Sequence, residues 1–583
     1  MEKPEPQSDP HGPAAMDVPL KLAIARMANG ISPASVTGAY ADWFSHLLTS
    51  PSKRADLAAS ALRKWLTWWQ YAAQSAQGAC KPCIQAAPND KRFAPAEWQA
   101  APFDLMAQAF LLQEQWAKEA TTGVRGVSKH HEDMVSFTTR QWLDTLSPSN
   151  FVMTNPQVLA QTRATGGLNL VDGAANWWRD ALAVLGDGRP RGVENFAPGK
   201  DVAVTPGKVV LRNRLIELIQ YEPVTPKVHA QPVLIVPSWI MKFYILDLTP
   251  QDSLVKYLVA QGHTVFMMSW KNPQGDDRDL SMDDYLELGV LAAVDEVKKR
   301  SGAAGVHAMG YCLGGTLLAI AAAVLAGKPH NPLKTVSLLA AETDFEEPGE
   351  LGLFIDESQI SFLEDLMAER GYLDGRQMAG AFQLINSKDL VWSKLVHEYL
   401  MGAQSQINAL QAWNADATRL PARMHSEYLR KLYLHNELAE GDYQVRGRVV
   451  DLGDIRVPMF VVATERDHVS PWKSVYKIHR LAHAPTTFLL TSGGHNVGIV
   501  NPPGDAAKAV GASYRMATHA AHKAPADPQA WRDAAPSFEG SWWPCWQQWL
   551  AKHSAGHIKA QPVRGLVEEG APVPAPGTYV HQR

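Results

Sequence analysis

The spacing of hydrophobic residues changes near residue 206 and divides the chain into two parts. Before that point, apolar side chains recur every three or four residues, which is the period of an amphipathic helix. The first helix has a clear start signal, because Ser32 supplies an N-cap and Pro33 follows at the first helical position. Helical spacing is predicted over 33–47, 58–76, 103–117, 136–146 and 150–185, the last broken at Gly166-Gly167 and at Gly173.

These stretches predict a mainly helical N-terminal domain over residues 19–205. A polar, Pro-rich segment over 1–18 precedes the domain, and we expect it to be a disordered tail.

After residue 206, short runs of consecutive apolar residues alternate with helical stretches, which is typical of a parallel sheet buried on both faces. Strands are predicted at 233–237, 264–270, 305–309, 335–340, 459–463 and 487–490, with helices at 253–261, 283–299 and 316–325. A long insertion rich in helix formers, over about 345–450, interrupts the alternation where a lid would be expected. We therefore expect a catalytic α/β domain over 206–583 that contains a cap subdomain.

Composition places the chain among globular proteins and excludes several functions. Of its 583 residues, 46% are hydrophobic and 20% are charged. A net charge of −4 without a basic bias argues against nucleic-acid binding. The longest apolar run, 314–327, is too short to span a bilayer, and the polar start lacks the pattern of a signal peptide. Four cysteines make no disulfide framework, so we expect a cytoplasmic protein.

Cys80 and Cys83 form a C-x-x-C pair, which is a motif of both zinc sites and redox sites. No second pair or histidine pair follows at ligand spacing, which argues against zinc. The pair follows a helical stretch rather than a strand, which argues against a redox motif. We therefore expect the C-x-x-C spacing to be a chance occurrence.

The strongest local signal for chemistry is the run 310–315, Gly-Tyr-Cys-Leu-Gly-Gly. It follows a predicted strand and opens a predicted helix, which is the context of a nucleophile elbow. Glycines allow the tight turn, so the Cys312 sulfur would be exposed at the edge of the sheet, and the helix N-terminus would favour its thiolate. The amide of Leu313 is then the natural oxyanion donor. These observations predict an α/β-hydrolase fold with Cys312 as its nucleophile.

In this fold the nucleophile is followed along the chain by an acid and then a histidine. Asp467 lies in a loop after one predicted strand, and His495 lies in a Gly-rich loop after the next. Both therefore satisfy the expected order and position. Two alternatives remain open at this stage, because Asp344 follows an earlier strand and could be the acid, and His468 could be the base.

A cysteine nucleophile also suggests a type of reaction. It keeps an acyl group as a thioester, close in energy to the CoA thioester from which the group came, and transfer to a hydroxyl is then downhill. Cys312 therefore favours acyl transfer over hydrolysis.

Several longer stretches resemble the class I poly(3-hydroxyalkanoate) synthases along nearly the whole chain. The resemblance is carried by 147–151, 154–156, 201–221, 236–248, 253–273, 310–315, 389–392, 413–418, 501–504, 540–544 and 575–580, and residues 1–90 match more loosely. It implies an acyltransferase that polymerises (R)-3-hydroxyacyl-CoA, most often short-chain substrates such as 3-hydroxybutyryl-CoA, into polyester with release of CoA. It also implies a homodimer at the surface of intracellular polymer granules, without a cofactor or metal.

The resemblance assigns a role to each candidate residue. Cys312 would carry the growing chain, His495 would be the base and Asp467 the acid, which either orients His495 or helps to activate the incoming hydroxyl. A second oxyanion donor would come from the loop near Trp239. Many members have Pro-Pro-Cys-Ile-Asn in this loop, whereas this chain has Pro-Ser-Trp-Ile-Met at 237–241. Trp239 would therefore either narrow the pocket or pack into the cap.

Two other functions are compatible with the same residues. One is a thioesterase or polyester depolymerase that uses Cys312 to deliver acyl groups to water. The other is a granule-surface protein that retains the fold without catalysis, although the complete Cys-Asp-His set argues against it.

Overall fold

The structure is a computed structural model that describes residues 31–583 except 79–80, 88–89, 187–188, 376, 379, 381–386, 388–390, 522 and 524–526. The predicted tail over 1–18 and position 80 of the C-x-x-C pair therefore lie outside the described residues. The chain forms two compact units. We call residues 31–191 with 380–406 the helical unit, and residues 192–379 with 407–583 the α/β unit.

These units differ from the expected domains in two places, the end of the N-terminal domain at residue 205 and the cap at about 345–450. Residues 192–205 join the α/β unit, where the Ala203 N–H donates to the Asp247 carbonyl at 2.9 Å. Residues 380–406, which fall inside the expected cap at 345–450, join the helical unit. There the side-chain amide of Asn169 donates to the Leu400 carbonyl at 2.8 Å, and that of Asn176 donates to the Glu398 carbonyl at 3.0 Å.

Six α-helices build most of the described part of the helical unit. They are α1 (Pro33–Leu48), α2 (Pro51–Ser75), α3 (Phe103–Thr121), α4 (Lys129–Thr145), α5 (Pro156–Ala164) and α6 (Leu168–Leu185), and a π-helix spans Leu395–Leu400. The N-cap predicted at Ser32 is present, because its hydroxyl accepts a hydrogen bond from the Ser35 N–H at 3.3 Å. The break predicted at Gly166-Gly167 separates α5 from α6.

The second predicted break, at Gly173, is wrong, since this glycine lies inside α6. A Cβ atom at Gly173 would lie 1.9 Å from the carbonyl oxygen of Tyr399. The glycine therefore allows the π-helix to pack closely against α6 instead of ending the helix. A helix-breaking residue and a close-packing residue look the same in a single sequence.

A ten-stranded sheet forms the centre of the α/β unit. Its strands are β1 (Gly207–Arg212), β2 (Ile216–Tyr221), β3 (Val233–Val236), β4 (Val265–Trp270), β5 (Val306–Tyr311), β6 (Leu333–Leu339), β7 (Met459–Thr464), β8 (Thr486–Thr491), β9 (Ser513–His519) and β10 (Ser537–Glu539). They lie in the order β1-β2-β4-β3-β5-β6-β7-β8-β9-β10.

Strands β4, β3, β5, β6, β7 and β8 run parallel to one another, which confirms the predicted parallel sheet. All six are strands that the sequence predicts. The antiparallel strands β1, β2, β9 and β10 at the two edges were not predicted, because their apolar and polar residues are mixed. The carboxyl ends of the parallel strands meet at one edge, where ligands bind in open α/β sheets.

The α/β unit also contains thirteen α-helices among its described residues. They are α7 (Leu254–Ala260), α8 (Met282–Asp284), α9 (Ala292–Ser301), α10 (Leu313–Ala326), α11 (Glu357–Arg370), α12 (Ala409–Asn414), α13 (Ala422–Tyr428), α14 (Glu437–Glu440), α15 (Trp472–Tyr476), α16 (Ile478–Leu481), α17 (Asp505–Ala509), α18 (Pro528–Ala534) and α19 (Trp543–Lys552), with π-helices at Tyr285–Leu291 and Leu429–Leu434. In the part of the chain that is described, no helix is both long and apolar enough to cross a membrane.

Candidate active site

Cys312 lies at the sharp turn between β5 and α10. Its φ of 53° is in the left-handed region, which a non-glycine residue rarely adopts and which costs of order 1–3 kcal/mol. The turn is held in place because the Cys312 N–H donates to the Leu339 carbonyl of β6 at 2.8 Å. Leu313 follows as the first residue of α10. This is the strand–turn–helix arrangement in which a nucleophile is exposed at the end of a sheet.

Glycines on either side of Cys312 allow the turn to be this tight. A Cβ atom at Gly310 would lie 2.5 Å from the Gly315 Cα atom, and one at Gly315 would lie 2.4 Å from the Ala341 Cβ atom. A Cβ atom at Gly314 would lie 2.3 Å from the Val236 carbonyl oxygen, at the end of β3. Helix α10 therefore begins in direct contact with the loop that follows β3.

Replacing Gly314 by alanine is expected to separate α10 from this loop. The two atoms nearest to the new Cβ atom would be the backbone carbonyl oxygens of Val236 and Pro237, which cannot move aside as a side chain could. We therefore expect the variant to be destabilised by about 1–3 kcal/mol, seen as a lower midpoint of thermal unfolding. Gly327→Ala at the other end of α10 is a matched control, since the nearest atom to its Cβ position is 3.7 Å away. Equal unfolding midpoints for the two variants would contradict the close contact at Gly314.

His495 and Asp467 lie in the loops that follow β8 and β7, and the structure brings their side chains into contact. The distance from His495 Nδ1 to Asp467 Oδ2 is 2.8 Å. The Asp467 side chain is completely buried, and the His495 side chain is 15% exposed. A carboxylate on Nδ1 fixes the orientation of the ring and leaves Nε2 for a nucleophile.

The Asp467 carboxylate is surrounded by hydrogen-bond donors. The backbone N–H groups of Val469 and Ser470 donate to Oδ1 at 2.9 and 2.8 Å, and the Thr464 hydroxyl donates to Oδ2 at 2.7 Å. Burial alone would raise the pKa of Asp467, but His495 and these hydrogen bonds outweigh it and hold the pKa below its ordinary value. Asp467 is therefore an anion at neutral pH.

The charges around His495 favour its protonated form. Burial would lower the pKa of His495, but Asp467 and Cys312 outweigh this effect and raise the pKa well above its ordinary value. The Tyr311 ring packs against the His495 ring at 5.6 Å, and the Tyr311 hydroxyl donates to Asn496 Oδ1 at 2.6 Å. Tyr311, which precedes Cys312, therefore holds Asn496, which follows His495, in position.

Tryptophans near the C-terminus support the histidine loop. The indole N–H of Trp542 donates to the Gly498 carbonyl, and that of Trp543 donates to the Ile499 carbonyl, both at 2.9 Å. The Ser541 hydroxyl donates to the Asn501 carbonyl. The motif at 540–544 therefore positions the loop that carries His495.

The two expected oxyanion donors lie on opposite sides of the contact at Gly314. Leu313 is at the N-terminus of α10, and Trp239 is in the loop that follows β3. Within the described residues, neither backbone N–H has a hydrogen-bond acceptor. Both are therefore available for a developing negative charge.

Cap residues hold the Trp239 loop from its other side. The Thr418 hydroxyl donates to the Trp239 carbonyl, and the Thr418 N–H donates to the Ile240 carbonyl at 2.9 Å. The indole N–H of Trp413 donates to the Lys242 carbonyl at 2.7 Å. The motif at 413–418 thus fixes the position of an expected oxyanion donor.

The Trp239 side chain is buried between the catalytic sheet and the cap. Its ring is 5.9 Å from the ring of Tyr285 and 5.8 Å from the ring of Tyr428 in α13. The Trp239 ring therefore contacts a residue of the expected cap. Its indole N–H is buried without a hydrogen-bond partner among the described residues.

The two alternative site residues have other environments. Asp344 accepts a hydrogen bond from the Asn436 side-chain amide at 3.1 Å and lies 3.6 Å from Lys477 Nζ. His468 is exposed at the surface. The described residues contain no cluster of three or more histidine, cysteine, aspartate or glutamate side chains that could hold a metal ion.

The sequence reading did not single out Glu342, which is buried beside this site. A possible signal was present, because a carboxylate directly follows the apolar end of β6 in the run Leu-Leu-Ala-Ala-Glu at 338–342. Tyr428 and Tyr433 of the cap were also missed, since nothing in their spacing relates them to Cys312.

The sheet topology and the nucleophile turn define an α/β-hydrolase fold, and the family model of that fold matches residues 231–502. The predicted fold class, including the helical N-terminal region, is thereby confirmed. Two further models match the preceding residues. The N-terminus of poly-beta-hydroxybutyrate polymerase (PhaC) matches 89–258, and the poly-beta-hydroxybutyrate polymerase N-terminal model matches 11–53.

Curated relatives resemble almost the whole chain. The poly(3-hydroxyalkanoate) polymerase of Methylorubrum extorquens is 41% identical over 92% of this chain and 88% of its own length. The polymerase subunit PhaC of Cupriavidus necator is 35% identical over 91% and 89%. The chain belongs to the poly(3-hydroxyalkanoate) polymerase family, as the sequence resemblance implied.

Proposed function

We propose that this protein is a poly(3-hydroxyalkanoate) synthase that polymerises (R)-3-hydroxyacyl-CoA through an acyl thioester on Cys312. The principal support is the position of Cys312 at a strained strand-to-helix turn, where the adjacent Tyr311 ring packs against His495, the hydrogen-bond partner of Asp467. Membership of the polymerase family supports the choice of substrate class.

In the first half-reaction, His495 takes the thiol proton of Cys312, and the sulfur attacks the thioester carbonyl of the acyl-CoA. The N–H groups of Leu313 and of the loop at Trp239 stabilise the oxyanion. The carbon–sulfur bond to CoA then breaks, and His495 returns the proton to the departing CoA thiolate. The negative charge of Asp467 stabilises the imidazolium that forms between these steps.

In the second half-reaction, a hydroxyl group replaces the thiol as the attacking group. His495 takes the hydroxyl proton, the oxygen attacks the thioester on Cys312, and an oxoester bond forms as the bond to sulfur breaks. Because an oxoester is lower in energy than a thioester, each transfer to a hydroxyl is downhill. The same chemistry with water would give the rival thioesterase.

The test supplies purified protein with (R)-3-hydroxybutyryl-CoA and measures free CoA with a thiol reagent and polyester by chloroform extraction. We expect CoA and polymer to appear together. CoA without polymer would instead support a thioesterase or depolymerase. Absence of both products, with longer hydroxyacyl-CoA substrates as well, would support a granule-surface protein without catalysis.

The same proposal includes the setting of the reaction. We place the protein in the cytoplasm at the surface of polymer granules, as a homodimer that uses short-chain substrates and requires no cofactor. Its partners would be the acyl-CoA substrate and the growing polyester chain.

A further inference from the structure

Hydrogen bonds hold the backbone at Glu342 beside the turn that carries the nucleophile. Glu342 follows the end of β6, whose Leu339 carbonyl accepts the hydrogen bond from the Cys312 N–H. Its own carbonyl accepts a hydrogen bond from the Thr316 hydroxyl in the first turn of α10, at 2.7 Å. Both contacts tie Glu342 to the turn that carries Cys312.

The Glu342 side chain is buried, and one of its carboxyl oxygens lacks a hydrogen bond within the described residues. The residue is 3% exposed, and its Oε1 atom has no hydrogen-bond partner among the described residues. Burial and the negative charges of Asp467 and Cys312 raise the pKa of Glu342 well above its ordinary value. This shift favours the protonated form of the carboxyl, which can both donate and accept a hydrogen bond.

A buried polar atom without a hydrogen-bond partner destabilises the folded protein. Such atoms are rare in proteins and call for an explanation, of which a bound ligand is one. The hydrogen bonds at Leu339 and at the Glu342 carbonyl place this residue beside the turn that carries Cys312. The Oε1 atom, which has no hydrogen-bond partner among the described residues, is therefore buried near the nucleophile.

Aromatic side chains of the cap surround the same region. Tyr428 and Tyr433 are in contact at a ring distance of 5.3 Å, and both interact electrostatically with Glu342 and Cys312. Tyr433 also packs against Phe345 at 4.7 Å, and Tyr428 packs against Trp239 at 5.8 Å.

We propose that Glu342 hydrogen-bonds the 3-hydroxyl of the hydroxyacyl group at Cys312 and thereby selects hydroxyacyl over unsubstituted acyl substrates. This inference rests on the proposed function. The N–H groups near Leu313 and Trp239 are directed to the thioester oxygen, and His495 serves the attacking group. These groups leave the 3-hydroxyl of the acyl group without a partner, and Glu342 offers a buried carboxyl oxygen that has none among the described residues.

Sites that hydrogen-bond a substrate hydroxyl discriminate strongly against analogues that lack it, because their buried polar groups are then unpaired. The experiment therefore compares (R)-3-hydroxybutyryl-CoA with butyryl-CoA as acyl donors to Cys312. Rates of CoA release in the first turnover are measured for the wild type, Glu342→Gln and Glu342→Leu. Gln keeps the size and the hydrogen-bonding groups, whereas Leu removes them.

We expect the wild type and Glu342→Gln to prefer the hydroxyacyl substrate. Glu342→Leu should lose about 10–100-fold of its rate with 3-hydroxybutyryl-CoA and little of its rate with butyryl-CoA, which also reports that the variant is folded. Glu342→Met gives the same comparison if the leucine variant does not fold. These outcomes change a selectivity ratio, which a purely structural role would leave unchanged.

Two results would overturn the proposal. An equal loss with both substrates would mean that Glu342 acts on the fold or on the triad, and an unchanged preference in Glu342→Leu would mean that it does not bind the hydroxyl. Failure of the proposed function is a separate result, in which the wild type itself forms no polymer. A wild type that polymerises but shows no preference would reject only the role of Glu342.

Discussion

Replacing Cys312 by alanine is expected to abolish CoA release and polymer formation together, with a loss of at least about 10³-fold. Both half-reactions pass through a covalent bond to this sulfur, so no other group in the proposed mechanism replaces it. The measurement is the wild-type assay with (R)-3-hydroxybutyryl-CoA, run in parallel on the variant. Mass spectrometry of the intact wild-type protein should show an acyl adduct that the variant lacks.

Cys545 provides the matched control for this substitution. It is also a partly buried cysteine, and its sulfur lies 3.3 Å from the Met516 sulfur. Cys545→Ala should retain activity and the acyl adduct, because no step of the mechanism involves it. Polymer formation by Cys312→Ala, or an equal loss in both variants, would reject Cys312 as the nucleophile.

Replacing Asp467 by asparagine is expected to lower the rate by about 10²–10⁴-fold, on the scale seen when a catalytic triad loses its acid. The amide keeps the size of the side chain but removes the charge that raises the pKa of His495. His495 then holds a proton less well, so the proton stays on the Cys312 sulfur. The measurements are the rate of CoA release and the alkylation rate of Cys312 by iodoacetamide at several pH values.

The direction of the pH effect follows from the charges. In the wild type the raised pKa of His495 keeps the imidazolium beside the sulfur, and the imidazolium favours the reactive thiolate. In Asp467→Asn the pKa of His495 falls, and the alkylation profile should move to higher pH. Asp344→Asn is the control, since Asp344 contacts Asn436 and Lys477 rather than the histidine. If the alkylation profile moved in Asp344→Asn but not in Asp467→Asn, Asp344 rather than Asp467 would be the acid that acts on His495.

Local sequence was sufficient for the elements that position the site. The parallel strands were predictable because strands buried on both faces consist of consecutive apolar residues, as in the run at 459–463. The glycines around Cys312 identified its turn, since only residues without a Cβ atom allow α10 to start so close to β3. The order of Cys312, Asp467 and His495 made them candidates before any contact between them was known.

Other features depended on contacts between residues far apart in the sequence. Gly173 has the pattern of a helix break, but its role is set by the Tyr399 carbonyl. The expected cap is divided between the two units, because Asn169 and Asn176 bind the backbone of residues 398–400.

By itself, the sequence determined the order of the strands along the chain, the nucleophile turn and the candidate triad. Each of these depends on backbone conformation and local burial, which neighbouring residues control. Only the tertiary structure revealed that Asp467 rather than Asp344 contacts His495 and that Trp239 packs against Tyr428. It also revealed that a buried carboxyl oxygen of Glu342 has no hydrogen-bond partner among the described residues. Hydrogen bonding and the exclusion of water are properties of packed surfaces, and no single segment contains them.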